Sequence, residues 1–466
     1  MLPFKIQHPL NRIAVITDEG ESFSYKDLDD FSDSVFNAIK HRCLVFCLCQ
    51  NSIGSLCGYI SFIANKIVPL MLDSTIDSEL LSALINTYRP EYLWLPDERV
   101  NEFPKGQIIF SKQNYSLIKL EAENYFQLHE DLGLLLTTSG STGSPKLVRL
   151  SYENIEANAT SIAEYLSINE NERPITTLPM SYSFGLSIIN SHLLKGATIL
   201  LTSKTLMQKE FWDFLKTQKA STMSGVPYTF EILKKLRFFR MDLPSITYLT
   251  QAGGKLNNEL NKEFSEFCKQ ANKRFYVMYG QTEATARMSY LPYQYSLSKL
   301  GSMGIAIPGG EFSIIDDKGT KIEEPEVIGE LVYKGKNVSL GYAECGDDLK
   351  KEDENKGVLY TGDIAKRDSD NFYYIVGRKK RFIKIYGNRV NLDETERLLK
   401  NITHDCACAG EDDHMIIYIT DKSRSDEVKN YISLKTGINH AAFSIKYIAE
   451  IPKNSAGKTI YSKLEI

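Results

Sequence analysis

The chain has 466 residues, 42% of them hydrophobic and 24% charged, and its 55 Lys and Arg against 59 Asp and Glu leave a net charge of −4. That length exceeds one ordinary hydrophobic core, so two or three units are expected of a composition typical of soluble globular proteins. The near balance of charge excludes a global basic field for nucleic acid or acidic lipid, so any bound anion needs a local site.

The N-terminal Met1-Leu2-Pro3-Phe4-Lys5 lacks the layout of a signal peptide. Residues 12–17 alternate as a strand. Ser24-x-x-Asp27 has the pattern of a capping box, and Leu28, Phe31, Val35 and Ile39 continue it as a helical stripe. The uncharged run 43–65 is long enough for a membrane span. Gln50-Asn51-Ser52 interrupts it, however, so a strand over 43–49, a turn and a buried helix over 53–65 are expected, with no span. A strand over 67–72, a helix over 77–88 and a strand over 91–95 follow. This alternation predicts a parallel sheet with helices on its faces.

The rhythm continues through helix 152–166, strand 174–178, helix 186–194, strand 197–201, helices 208–216 and 227–236, strand 246–251, helix 256–270 and strand 274–278. From residue 300 the grammar changes to short strands punctuated by glycine, which predicts a β-rich, barrel-like part over about 300–377. Helix 392–400, strand 414–420, helix 425–434 and strand 443–448 then form a small α+β unit. The boundary is placed near Lys380, giving a large domain over 1–379 and a small mobile one over 380–466.

Eight cysteines in a chain of this length do not make a disulfide scaffold. Cys43, Cys47 and Cys49 share one face of a strand, and Cys406 and Cys408 share a face of another. His404 lies near the second pair, but the spacings fit no zinc pattern. Buried free thiols in a reducing cytoplasm are expected.

Residues 134–146 read Leu-Leu-Leu-Thr-Thr-Ser-Gly-Ser-Thr-Gly-Ser-Pro-Lys. A buried strand runs into a loop whose glycines, Gly140 and Gly143, permit unusual backbone shapes. The hydroxyls of Thr138, Ser139, Ser141 and Thr142 add donors without bulk, and Lys146 adds a mobile charge. Such a loop suits a polyphosphate better than a Ser/Gly linker does, since a strand feeds it directly. It is not a nucleoside-triphosphatase loop, because Lys146 follows Pro145 and no hydroxyl follows the lysine.

Two further strands end in glycine turns, Ala252-Gly253-Gly254 and Tyr279-Gly280-Gln281-Thr282-Glu283. Ligands of open parallel sheets sit at such strand ends, so the three loops are candidates for one shared site. Glu283 is placed to hold Mg²⁺ opposite the phosphate loop, and Tyr279 to stack on a base. Tyr360-Thr361-Gly362-Asp363, Gly377-Arg378 with its basic continuation, and Pro452 through Gly457-Lys458 are each weak alone: a β-turn, a solvated hairpin and a mobile tail are their ordinary readings.

Together these six motifs, in order from residue 138 to 458, resemble the adenylate-forming superfamily of acyl- and aryl-CoA ligases, peptide-synthetase adenylation domains and luciferases. The resemblance implies a two-step reaction, in which a carboxylate attacks the α-phosphate of Mg-ATP and a thiol then takes the acyl group. By the same resemblance, Ser139, Ser141, Thr142 and Lys146 hold the β- and γ-phosphates, Glu283 ligates Mg²⁺ and Thr282 contacts the α-phosphate. Gly253 and Gly254 border adenine, on which Tyr279 stacks beside Gly280. Asp363 takes the ribose hydroxyls with help from Arg378. Lys458 bridges carboxylate and α-phosphate, Lys380 is the hinge, and Gly387 belongs to the face presented for the thiol step.

Two departures stand out. Leu147 replaces the glycine common after the loop lysine. In Pro179-Met180-Ser181-Tyr182-Ser183-Phe184-Gly185, Ser183 stands where peptide-synthetase domains carry an Asp for the α-ammonium, and residues 174–196 contain no Asp or Glu. A desolvated ammonium needs a counter-charge, so a plain carboxylic acid is expected, in a pocket of Tyr182, Phe184, Gly185 and Gly253. Only 86 residues run from Arg381 to Ile466, so the acceptor is CoA or a carrier-protein phosphopantetheine. An amino-acid-activating enzyme serving a carrier protein is the alternative, and a non-catalytic nucleotide-binding relative the third reading.

Overall fold

The structure, a computed structural model, describes residues 9–121, 124–137, 146–379, 381–385, 388–403, 405–411, 413–436, 438–453 and 459–464. Packing divides the chain into two units, Met1–Glu311 with Lys334–Leu359, and Phe312–Tyr333 with Tyr360–Ile466.

The first unit is built on an eight-stranded sheet in the order Gly341–Ala343, Leu147–Ser151, Leu132–Thr137, Val68–Asp73, Leu44–Cys49, Tyr92–Pro96, Tyr115–Lys119, Gln107–Lys112. Its four middle strands are parallel and its edges antiparallel. The central strand Leu44–Cys49 is apolar throughout because both faces are covered. Leu44, Phe46 and Leu48 enter one core layer, and Val45, Cys47 and Cys49 the other. The expected capping box forms: Ser24 Oγ accepts from Asp27 N at 3.1 Å, and an Asp27 carboxylate oxygen accepts from Ser24 N at 2.7 Å, starting the helix Tyr25–Ile39. The run 43–65 resolves into that strand and the helix Ile53–Ala64. Among the described residues no helix is long and apolar enough to cross a membrane.

A five-stranded sheet follows, in the order Thr222–Gly225, Tyr248–Gln251, Arg274–Tyr279, Ser289–Tyr290, Ile305–Ala306. The first three strands are parallel, with Gly225, Gln251 and Val277 in register. The Gly253 and Gly280 turns therefore leave the same edge of the sheet. Residues 174–178 do not form the expected strand: Pro174 and Ile175 make only isolated parallel bridges, to Thr222 of this sheet and to Leu200 of a separate three-stranded one. Serving two sheets, and lacking an N–H at Pro174, the segment cannot extend either ladder. The hairpin Gln107–Lys112/Tyr115–Lys119 was not anticipated; its two turn residues, Gln113 and Asn114, have φ of 56° and 57°, as a type I′ turn requires.

In the second unit the β-rich expectation takes the form of a four-stranded sheet, Gly310–Ile315, Gly329–Gly335, Val358–Arg367 and Tyr373–Arg378. The C-terminal α+β part has a hairpin, Phe382–Ile385 with Asn388–Asn391, a three-stranded sheet, Cys406–Glu411, His414–Ile419 and Phe443–Tyr447, and the helices Leu392–Leu399 and Ser425–Thr436. Ile383, Leu399, Ile417 and Ile432 are in its core. All eight cysteines are free thiols, seven buried and Cys345 exposed. His404 lies outside the described residues.

Candidate active site

At Gly280 the chain doubles back so tightly that a Cβ would lie 1.7 Å from the Ala286 carbonyl oxygen, which only glycine permits. A 3₁₀ turn, Thr282–Ala284, follows. Residues 337–339 staple it: Ser339 N donates to Glu283 O at 2.9 Å, Thr285 Oγ1 to Asn337 O at 2.7 Å, and Asn337 Nδ2 to Ala284 O at 2.9 Å. The turn thereby fixes the direction of the Glu283 side chain, whose Oε1 accepts a hydrogen bond from Tyr342 Oη at 2.8 Å. The other carboxylate oxygen makes no hydrogen bond among the described residues. A carboxylate held by one oxygen and open at the other fits a hard cation such as Mg²⁺.

The Tyr342 ring is shared. Lys146 Nζ lies 3.8 Å from its centroid, and 3.2 Å from Glu344 Oε1. Burial, then the charge of Glu283 and the hydrogen bond to it, push the phenol well above the usual tyrosine range, so it stays a donor. Tyr342 escaped the sequence reading because its strand pairs with Leu147–Ser151 across almost 200 residues of chain. That pairing also accounts for Leu147, which is a fully buried strand residue in the core.

The segment expected to line the acid pocket meets the same turn. Ser183 Oγ lies 3.3 Å from Thr282 Oγ1. Gly253, at φ +81°, lies so close beneath Tyr182 that a Cβ would come within 2.6 Å of the phenol oxygen. A Cβ on Gly185 would lie 2.2 Å from the Pro179 carbonyl oxygen, and one on Gly254 would meet the Pro227 ring at 3.1 Å. Tyr182 and Phe184 pack edge to face at 6.4 Å, and burial pushes the Tyr182 phenol up to about 12. The half-buried Tyr279 accepts a hydrogen bond from Gln281 Nε2 at 3.1 Å. Lys146, Tyr182, Ser183, Gly253, Thr282 and Glu283 are thus joined by direct contacts or through Tyr342 and the shared turns.

Beneath this group lies Arg287, which the sequence reading also missed. It is 2% exposed. Its Nη1 donates to Tyr165 Oη at 3.1 Å, and its Cζ sits 5.0 Å from the Phe184 ring centroid.

Asp363 and Arg378 belong to the second unit. They face each other across paired strands, with Arg378 Nε 3.3 Å from Asp363 Oδ1. Asp363 is buried, whereas the Arg378 side chain is 62% exposed. Next to the expected hinge, Arg381 is no solvated charge. It is ion-paired with Asp393 and Glu396 at 2.5 and 2.6 Å and stacks on Tyr461 at 3.6 Å.

Residues 138–145, Lys380, Gly387 and Lys458 lie outside the described residues. Both key loops nevertheless have defined stems. Thr137 pairs with Leu147 at the base of the first. Lys453 bridges Thr459 at the base of the second, where Ile460 N donates to Pro452 O at 2.8 Å.

Comparison with known proteins gives a consistent result. The profile of a family described as "AMP-binding enzyme" matches residues 5–343. The 2-succinylbenzoate–CoA ligase of Geobacillus sp. (strain WCH70) is 26% identical over 357 residues, 74% of this chain and 71% of the relative. The luciferin 4-monooxygenase of Luciola mingrelica is 25% identical over 373 residues, 76% of this chain and 66% of the relative. Among solved structures, the o-succinylbenzoate CoA synthetase of Bacillus subtilis in complex with its acyl-adenylate intermediate aligns with a TM-score of 0.78 at 22% identity, covering 98% of this chain and 96% of that one.

Proposed function

Because the chain belongs to the AMP-binding enzyme family, we propose that it is an ATP-dependent carboxylate ligase forming first an acyl-adenylate and then a thioester. In the first step a carboxylate oxygen of the acid bonds to the α-phosphorus of ATP, the bond to the bridging oxygen breaks, and pyrophosphate leaves. In the second a thiol sulfur, of CoA or of a carrier protein's phosphopantetheine arm, bonds to the acyl carbon and AMP leaves.

The observation that carries this reading is the placement of Glu283, Tyr342 and Lys146. A carboxylate and an ammonium flank one phenol, beside the loop stem and the strand-end turns. Glu283 would hold Mg²⁺, which neutralises phosphate charge when bound. Lys146, with Thr138, Ser139, Gly140, Ser141, Thr142 and Gly143, would embrace the leaving pyrophosphate. Thr282, steadied by Ser183, would orient the α-phosphate. Gly253, Gly254, Tyr279 and Gly280 would border adenine. Asp363 would take the ribose hydroxyls, Arg378 exchanging its present ion pair for a contact with the nucleotide. Lys458 would bridge the reacting oxygens, and rotation at Lys380 would withdraw it and present Gly387 for the thiol step. The seven buried free thiols support a reducing, cytoplasmic setting.

The protein should release pyrophosphate, or exchange it into ATP, in the presence of Mg²⁺ and a suitable member of a carboxylic-acid panel. Lys458→Ala should slow adenylation by about 100-fold or more, the scale of losing a charge aimed at the transition state, while ATP binding persists. Adenylation at the parental rate would remove Lys458 from the mechanism.

A further inference from the structure

Arg149 shows what a satisfied buried arginine looks like in this fold. Its guanidinium donates to the carbonyls of Tyr342, Lys351, Leu340 and Glu352 and to the Glu354 carboxylate. Arg287 is as deeply buried but lacks such partners. Nη1 reaches Tyr165 Oη and, at 3.5 Å, the Met278 sulfur. Nε is sealed from solvent without a partner, and among the described residues Nη2 makes no hydrogen bond and no carboxylate pairs with the group. The unmatched Nε–Nη2 edge is the planar fork that takes a carboxylate through two parallel hydrogen bonds.

Among the described residues no carboxylate forms an ion pair with the guanidinium; the buried Glu172 accepts from Ser221 and acts on Tyr248 instead. His192 Nδ1 donates to Ile188 O at 2.8 Å, and Nε2 lies 3.3 Å from Tyr248 Oη and accepts from it. The imidazole is neutral, its pKa lowered to about 3 by burial first and then by the Arg287 charge. Phe184 covers the guanidinium with its ring face. A buried charge with no counter-charge is strongly unfavourable, so a cation kept in this place points to an anion that arrives from outside. The location says which molecule brings it. Phe184 directly follows Ser183, which touches Thr282, and Arg287 is four residues past Glu283.

We propose that the Nε–Nη2 edge of Arg287 seats a second carboxylate of the acid substrate, so that the enzyme activates a dicarboxylic acid at one end and holds it at the other. This rests on the adenylation reading above. It also accounts for the missing acidic residue near Ser183, since an α-ammonium would face a buried cation.

Pyrophosphate exchange should be measured for dicarboxylic acids of graded length, aliphatic and aromatic, each beside its monomethyl ester. The wild type should favour the best diacid over its ester by about 100-fold in kcat/KM, the scale of leaving a buried charge unpaired. Arg287→Met should abolish that preference, mainly through KM, while ester turnover stays within about threefold, as expected when only uniform binding is lost. Equal use of diacid and ester by the wild type overturns the proposal, and this comparison stands even if the variant fails to fold. A uniform loss on both substrates in a folded variant overturns it as well, as does a preference for hydroxy or keto acids. Absence of exchange with every acid would count against the adenylation reading instead. Calorimetric binding of the diacid and the ester to wild-type protein would then decide on the seat: tighter diacid binding supports it and equal binding overturns it.

Discussion

Replacing Tyr342 with Phe removes one oxygen and leaves the ring on which Lys146 rests. What is lost is the 2.8 Å hydrogen bond to Glu283 Oε1. A hydrogen bond to a charged partner contributes about 1.5–3 kcal/mol net. Tyr342 is only partly buried, so the lower end applies, about 1.5 kcal/mol or roughly tenfold in an equilibrium constant. Losing an outer partner of a metal-binding carboxylate falls in the same range, about 10- to 100-fold in metal affinity. The exchange rate, titrated with Mg²⁺ at fixed ATP, should therefore half-saturate at about tenfold higher Mg²⁺. The phenol is pushed above the usual tyrosine range, so the effect should be flat across neutral pH. Tyr342→Leu removes the ring as well. It should add a few-fold rise in KM for ATP, matching about 0.5–1 kcal/mol for a partly exposed cation–π contact. A folded Tyr342→Phe enzyme with parental Mg²⁺ dependence would refute the idea that this bond positions a metal ligand.

Two predictions concern the scaffold. Gly280→Ala would force a Cβ to within 1.7 Å of backbone at Ala286, and should cost about 3 kcal/mol or more. Gly254→Ala, which meets only the Pro227 ring at 3.1 Å, should cost far less, and thermal denaturation of the two variants tests the contrast. His192 has a folded pKa of about 3, below its unfolded value near 6.5, so the unfolded state binds the proton first as pH falls. The stability contributed by keeping His192 neutral is full above about pH 6.5 and declines as pH falls toward 3, by up to about 1.4 kcal/mol per pH unit. Urea midpoints at pH 7, 5.5 and 4.5 should converge for wild type and His192→Gln, and parallel profiles would show that His192 does not titrate in this way.

Much of the first unit was legible because its signals are local. The capping box at Ser24 and Asp27, the uninterrupted apolar strand ending at Cys49, and the glycine turns at Gly253 and Gly280 each announce themselves within a few residues. Residues 174–178 were misread because an apolar run does not reveal that its neighbours belong to two different sheets. The Gln113-Asn114 turn lacks the glycine that usually marks a two-residue hairpin. Tyr342 and Arg287 were invisible for a different reason. One is defined by a strand pairing across most of the unit, and the other by a buried Nε left without a partner, and neither leaves a pattern in the linear chain. Arg381 likewise looked like part of an exposed basic cluster, until Asp393, Glu396 and Tyr461 came together around it.

The strand Gly341–Ala343 is reached only after the chain has left the first unit at residue 311 and returned at residue 334. During synthesis, then, the first 311 residues emerge with Leu147–Ser151 as a bare sheet edge and with Glu283 lacking its phenol. Such an edge is a template for mispairing with other nascent chains. Fragments stopped short of residue 343 should accordingly be inactive and prone to aggregate, whereas the late arrival of one short strand both seals the sheet and completes the carboxylate. Closure of the sheet edge and completion of the Glu283 site are in this way coupled through the order in which the polypeptide is made.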